Sequence, residues 1–306
     1  MIDKKEENMV GDLSKELENI RIWEKQYTFD LHAHTKASDG FYEPKDLVKY
    51  AKSKKIDVFA ITDHDSTLGV SEAIEAGKEY GIHIVSGIEV STMWSKFQIH
   101  IVGLGVDINN EELIELIKDQ KIKRDERAKA IGAQLEKCGF KDAYERTKAM
   151  AQEGAAITRG NFAAFLYENG AGSTVDRCFK QYLARGCIAY VSASWASIEE
   201  AVRVIKASGG IAVLAHPKRY EITHKNLLRL ISEFKEWGGE AMEVSGAMQA
   251  EGERELLASL CKKHELYASC GSDFHRERNY VDLGINLQIP QLATPIWHHP
   301  RFRIEC

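Results

Sequence analysis

Phe29-Asp30-Leu31-His32-Ala33-His34 carries the first decision about this chain: an apolar, strand-like run ends in two histidines one residue apart. Side chains at i and i+2 of an extended backbone project from the same face, so His32 and His34 can meet one ion together. Three further runs end in the same way: Ile61-Thr62-Asp63-His64-Asp65, Ala215-His216-Pro217 and Gly271-Ser272-Asp273-Phe274-His275, the last repeating the spacing in Asp273 and His275. A single His-x-His is common at strand ends. Two such pairs together with His64 and His216 point to a hydrolytic metalloenzyme. Glu89 and His100 extend the set from two more apolar runs, Ile82 to Val90 and Phe97 to Leu104. Alone, Glu89 reads as a salt-bridged strand end; beside the histidines it reads as a bridging ligand. Asp39, in Ala37-Ser38-Asp39-Gly40, also fits an ordinary turn, and spacing gives it no ligand role.

Outward from these ends, strand-like segments recur at 27–33, 57–62, 83–90, 97–105, 211–215, 240–245 and 267–270. Helical patterns separate most of them, at Pro44 to Ser53, Ser71 to Tyr80, Ile198 to Ser208, 226–236 and 251–263. Such alternation predicts an α/β fold with a largely parallel, barrel-like sheet. In such barrels catalytic groups collect at the C-terminal strand ends, where nearly every candidate lies. The rhythm breaks from 110 to 190: Leu113, Ile117, Ile131 and Leu135 mark one helix face, and Phe162, Phe165 and Leu166 another. These residues are expected to form a helical, substrate-binding insertion over the mouth of a discontinuous barrel, 27–109 and 191–290. Residues 1–26 read as a charged extension around Leu13, Leu17, Ile20 and Trp23, packing on the barrel or fraying, with partner binding as the alternative. Residues 291–306 form a C-terminal tail.

A chain of 306 residues with 44% apolar side chains can bury one large core or a core plus a small second domain. The six cysteines show no Cys-x-x-Cys pair, which suits reduced thiols in a cytoplasmic protein. No apolar stretch is long enough to span a bilayer, and the charged start lacks a signal-peptide core. A formal net charge of −5 argues against a protein that coats nucleic acid nonspecifically. Yet Lys118 to Tyr190 holds 14 of the 41 basic side chains and only 9 of the 46 acidic ones. That segment can hold an anionic substrate; for most charges between 118 and 148, a solvated helix face explains them equally well.

Longer motifs carry a resemblance over residues 28–290. Asp30-Leu31-His32-Ala33-His34-Thr35, Ile61-Thr62-Asp63-His64-Asp65, Gly87-Ile88-Glu89-Val90-Ser91-Thr92, Ile99-His100-Ile101-Val102-Gly103-Leu104, Val213-Leu214-Ala215-His216-Pro217 and Gly271-Ser272-Asp273-Phe274-His275 resemble the PHP (polymerase and histidinol phosphatase) superfamily of metal-dependent phosphoesterases. Thr158-Arg159-Gly160 and Lys180-Gln181-Tyr182-Leu183-Ala184-Arg185-Gly186 are similar to the RNase AM group within it, also described as 3′,5′-nucleoside bisphosphate phosphatases. The resemblance implies a distorted, mainly parallel (β/α)7-type PHP barrel with a helical insertion domain. It implies three ions: one held by His32, His34, Glu89 and Asp273, a second by Asp39, His64 and His275, and a third by Glu89, His100 and His216, with Glu89 bridging. Mixed imidazole and carboxylate ligation suits manganese, iron or zinc, and the resemblance favours Mn2+. Lys218 stands where glycine is expected, adding bulk and charge beside the site.

The implied chemistry is in-line attack on a phosphate ester by metal-activated water. Glu89 and His275 belong to the centre, and Asp63 orients a ligand histidine or the water, or makes a supporting hydrogen bond. Ser272 and Cys270 lie nearby without an activating arrangement. Arg159, Lys180, Arg185 and Arg219 are candidates for the substrate's other phosphate. The resemblance implies removal of the 3′-phosphate from 3′,5′-bisphosphonucleotides and 5′ to 3′ trimming of short 5′-phosphorylated RNA, rRNA 5′ ends among the targets. The sequence itself suggests no membrane, and no obligate protein partner is evident in it. Two rivals stay open: a histidinol-phosphate phosphatase or other PHP phosphoesterase, and a noncatalytic PHP binding module.

Overall fold

The computed structural model describes residues 27–151, 153–277 and 281–304. The expected extension of residues 1–26 lies outside the described residues. One sheet dominates. Its strands are β1 (Phe29–Asp30), β2 (Val58–Ile61), β3 (His83–Trp94), β4 (Phe97–Leu104), β5 (Ala196–Ser197), β6 (Ile211–Leu214), β7 (Ala241–Ser245) and β8 (Tyr267–Cys270). They follow the order β1-β2-β3-β4-β6-β7-β8, with β5 beside β3. The sheet nearly closes on itself: Leu31 N–H donates to Cys270 O (3.1 Å), Asp273 N–H to His32 O (2.8 Å), and Ala33 bridges Phe274 in parallel. This is the barrel expected of the α/β pattern.

The sheet departs from parallel at one strand. β4 runs antiparallel to both β3 and β6. Only Ser95 and Lys96 separate β3 from β4, Ser95 has φ 55°, and so short a link permits only a hairpin. As a result β3 continues four residues past the expected end at Val90. Glu89 therefore lies inside β3, and His100 in the middle of a reversed strand.

Helices α1 (Pro44–Ser53) and α2 (Val70–Tyr80) cover the first parallel strands. Alternation along β2 sends Val58 and Ala60 to one cluster, with Phe29, Val102 and Val213, and Phe59 and Ile61 to another, with Leu47 and Val70. The helix α2 stops at Gly81, whose φ of 66° suits glycine. Then come α3 (Glu111–Lys137), α4 (Ala143–Met150), α5 (Arg159–Glu168), α6 (Val175–Cys178) and a π-helical turn, Phe179–Leu183. Their apolar faces form a separate core around Leu135, Phe162, Phe165, Leu166 and Leu183. The helix α3 belongs to both bodies, because Leu113 and Leu116 near its start pack into the barrel's core.

Helices α7 (Ile198–Ala207), α8 (His224–Glu236) and α9 (Glu251–Lys263) complete the outer layer. In α7, Ser197 caps the Glu200 N–H (3.1 Å), and Ile198, Ala201, Val202 and Ile205 form one buried stripe. Past β8 the chain returns beneath the barrel, where Ile296 and Phe302 join the cluster of Val58 and Trp297 stacks on Phe29 at 4.0 Å. No helix among the described residues is long and apolar enough to cross a membrane.

Candidate metal centre

All nine sequence-selected ligands converge at one end of the barrel. Glu89 is fully buried at its middle. Its Oε1 lies 2.8 Å from His100 Nδ1, 2.9 Å from His216 Nε2 and 3.4 Å from His32 Nε2. Its Oε2 lies 2.7 Å from His64 Nδ1 and 3.3 Å from His34 Nε2. Asp273 Oδ1 faces His34 Nε2 at 2.9 Å and His32 Nε2 at 3.5 Å. Asp39 Oδ1 lies 3.2 Å from His275 Nε2 and 4.0 Å from His64 Nε2.

Local backbone explains the convergence. His216 and Asp273 take positive φ, 29° and 52°, at the turns leaving β6 and β8, an uncommon conformation for side chains other than glycine. Each is held there: His216 N–H donates to Glu243 Oε2 (2.6 Å), and Asp273 N–H donates to His32 O. Gly271 allows the close approach, since a Cβ there would stand 2.2 Å from His32 Cβ.

A divalent cation fits this donor set. Three overlapping groups place one ligand atom per residue within 4.8 Å of one another: His32, His34, Glu89 and Asp273; His34, Asp39, His64 and His275; and His64, Glu89 and His100. The first matches the expected grouping, the second adds His34, and the third holds His64 where His216 was expected, although His216 touches the same Glu89 oxygen as His100. Asp39 Oδ1, Glu89 Oε2 and His64 Nδ1 are buried and complete no hydrogen bond among the described residues. Buried polar atoms that complete no hydrogen bond are costly. A cation among them removes the cost.

The electrostatics agree. Burial opposes ionisation of Glu89, but His100, His64 and His32 outweigh it and hold the carboxyl well below the usual range. Asp273, beside Arg219 and His275, and Asp39, beside His275 and His64, are held down in the same way against burial. Burial, His275 and His64 push His34 down to about 3, leaving it neutral. Against burial, Asp39 and Asp273 raise His275 to about 9. The cluster thus presents ionised carboxylates and an imidazole whose proton an arriving cation must displace.

A cavity of about 450 Å³ opens over this cluster, its wall including Arg124, Arg127, Arg159 and Phe179. Arg219 lies at its edge, ion-paired with Asp273. Of the candidate phosphate-binding residues, Arg159 and Arg219 line this cavity. Lys180 and Arg185 are exposed and lie outside its wall. Arg127 is buried, and no salt bridge to it or to Arg159 is found among the described residues. Arg127 donates to Val191 O (3.0 Å) and faces Trp195, while Arg159 reaches Leu183 O (3.4 Å) and stacks on Phe179. Burial, Arg159 and Arg124 push Arg127 down to about 9.

A family model described as the PHP domain matches residues 30–268. The chain belongs to the PHP domain family. It is 44% identical over 271 residues to the 5′-3′ exoribonuclease Rnm of Escherichia coli K12, covering 88% of this chain and 92% of that protein. It is 37% identical over 276 residues to the 3′,5′-nucleoside bisphosphate phosphatase of Chromobacterium violaceum, covering 90% and 97%. A solved Chromobacterium violaceum structure, described as an amidohydrolase with bound sulfate and no metal, superposes with a TM-score of 0.86 at 36% identity, covering 91% of this chain and 98% of that one.

Three residues of this PHP domain escaped the sequence, Glu243, Arg124 and Arg127. Glu243 on β7 holds His32 Nδ1 (2.6 Å) through one oxygen and the His216 N–H through the other; a glutamate inside the apolar run Ala241-Met242-Glu243-Val244 was a readable signal. Arg124 and Arg127 were hidden in a charge-dense helix with nothing to single them out. Asp63 makes supporting hydrogen bonds, the alternative to orienting a histidine or the water: its oxygens accept from Thr35 N–H (2.7 Å), Thr35 Oγ1 (2.7 Å) and Ser38 Oγ (2.6 Å). It braces the loop carrying Asp39, because a buried carboxylate takes the nearest donors, and those belong to this loop. Asp39 is fixed from the other side by Thr158 Oγ1 at 2.6 Å, the cap of α5.

Proposed function

We propose that this PHP domain is a metal-dependent phosphoesterase that removes the 3′-phosphate of 3′,5′-bisphosphonucleotides and trims short 5′-phosphorylated RNA, rRNA 5′ ends included, in the 5′ to 3′ direction. The carrying observation is the pair Arg127 and Arg159: two guanidinium groups with no carboxylate partner among the described residues, in the wall of a cavity that a carboxylate and imidazole cluster also lines. A substrate with two phosphates answers both walls. The names of the relatives, an exoribonuclease and a bisphosphate phosphatase, support the same two substrates.

His32, His34, Glu89 and Asp273 would hold one ion, Asp39, His64 and His275 a second, and Glu89, His100 and His216 a third; Mn2+ suits the mixed nitrogen and oxygen donors, with Fe2+ and Zn2+ as the other candidates. Such ions supply Lewis acidity toward phosphoryl oxygens and lower the pKa of water. The chain's own residues do the rest. Arg127 and Arg159 grip the 5′-phosphate through charge-assisted hydrogen bonds, which lays the 3′ phosphoester over the cluster. Arg219, tethered by Asp273, meets the scissile phosphate from the side. Water attack on phosphorus breaks the bond to the 3′ oxygen, so a bisphosphonucleotide yields inorganic phosphate. RNA yields a nucleoside 5′-monophosphate and a shortened chain with a new 5′-phosphate. A cytoplasmic setting accords with both substrates.

The test is phosphate release from a 3′,5′-bisphosphonucleotide and from histidinol phosphate, by metal-stripped protein refilled with Mn2+. Release that follows added Mn2+ and strongly favours the bisphosphonucleotide is expected. Preference for histidinol phosphate would move the chain to the rival phosphatase, and no release from either would leave the binding module.

A further inference from the structure

A second cavity, of about 180 Å³, lies on the side of the metal-ligand cluster carried by β6 and β7. It shares His216's end of the cluster, and Arg219 and Met248 belong to the walls of both cavities. The smaller space therefore continues the larger one past the reacting centre, while Arg127 and Arg159 line only the larger one. Lys218 and Gln249 bring donors to it. Its acids are Glu243, engaged with His32 and the His216 N–H, and Glu253, whose Oε1 lies 3.7 Å from Lys218 Nζ, beyond hydrogen-bond reach. Lys218 is thus charge-compensated but not tied down. Met248 is 70% exposed where the two spaces meet, a thioether offered to solvent.

We infer that this second cavity is a subsite for the nucleotide 3′ to the cut, in which Lys218 and Gln249 bind the next phosphodiester and Met248 packs against the base. The inference rests on the RNA-trimming reading above and adds to it the path of the strand. A bisphosphonucleotide has nothing to place there: its 3′-phosphate ends at the cluster. In RNA the scissile phosphate carries the following nucleoside, which must leave the cluster on a side other than the departing 3′ oxygen. A lysine on a flexible stem neutralises a phosphodiester as a point charge without reading the base, as sequence-independent trimming requires. One such contact gives a weak, salt-sensitive grip.

The experiment compares a 5′-phosphorylated dinucleotide, which has a scissile phosphodiester and none beyond it, with the trinucleotide, which has one more. The native protein should cut the trinucleotide with about tenfold higher kcat/KM, the worth of one charged hydrogen bond. Lys218→Ala should erase that gain, Gln249→Ala should reduce it, and Lys218→Arg should keep it. The Lys218→Ala ratio of trinucleotide to bisphosphonucleotide turnover should fall by the same factor, so a folding defect, which lowers all substrates together, is distinguished. A trinucleotide gain that survives Lys218→Ala, or no gain in the native protein, overturns the subsite and leaves RNA trimming intact. Failure to cut either oligonucleotide overturns the RNA reading and the subsite together.

Discussion

Replacing Arg127 by alanine should separate the two ends of the substrate. The side chain is buried, lacks a carboxylate partner among the described residues, and faces the same cavity as Arg159. Losing one charge-assisted contact there costs about 2 kcal/mol, roughly thirtyfold in catalytic efficiency on a 3′,5′-bisphosphonucleotide. An aryl phosphate, which has no second phosphate, should lose little. Steady-state kinetics of Arg127→Ala and Arg159→Ala on both substrates decide it, and equal losses on both would assign these arginines to the fold or to the metal ligands. The convergence of the candidate ligands was legible in the sequence because their spacing is local: His32 with His34, and Asp273 with His275, keep the i,i+2 spacing on strand-end backbone. Arg127 was not legible, because only the packing of α3 turns Arg124 and Arg127 of Lys121-Ile122-Lys123-Arg124-Asp125-Glu126-Arg127 inward and leaves Lys121 and Glu126 exposed.

At the level of elements, the joint between α3 and the barrel holds the arginine wall in place. Arg124 meets Asp65 through Nε at 2.6 Å and NH2 at 2.5 Å, and donates to Ser91 Oγ at 2.7 Å. Gln120 donates to the Ser91 carbonyl (2.7 Å) and accepts from Ala196 N–H (3.1 Å). Asp65 is the neighbour of His64, so the joint reaches the candidate ligand cluster within one residue. Removing one member of a buried ion pair strands the other and costs about 3 to 5 kcal/mol. Arg124→Met should therefore unfold at a clearly lower temperature, and adding Asp65→Ala should restore part of the loss by removing the stranded charge. Thermal unfolding of the two single variants and the double checks this; a double variant no better than the sum of the singles would contradict the pair. The sequence revealed that 110–190 is helical, yet not this joint, since its partners are separated by 59 and 33 residues. The β3–β4 hairpin was equally hidden: Ser95-Lys96 carries no glycine or asparagine signal, and Ser91 and Thr92 look like the end of an apolar run although they continue β3.

Across the whole molecule, protons and cations compete for one cluster. His275 has its folded pKa raised to about 9 from an ordinary 6.5, so without metal its proton stabilises the fold fully below about pH 6.5, and that contribution is lost as pH rises through about 9. Cations must displace this proton. The rise in melting temperature on adding Mn2+ to stripped protein should therefore grow from pH 6.5 to 9, and a pH-independent rise would contradict the site. The central claim is that one barrel end joins a 5′-phosphate anchor to a phosphoester-cleaving centre. It is tested most directly by a time course on short RNA labelled at its 3′ end, with Mn2+ present, bearing either a 5′-phosphate or a 5′-hydroxyl. The account predicts rapid shortening of the 5′-phosphorylated strand from its 5′ end, releasing nucleoside 5′-monophosphates, and slow reaction of the 5′-hydroxyl strand; equal rates for the two, or loss of the label from the 3′ end, would contradict it.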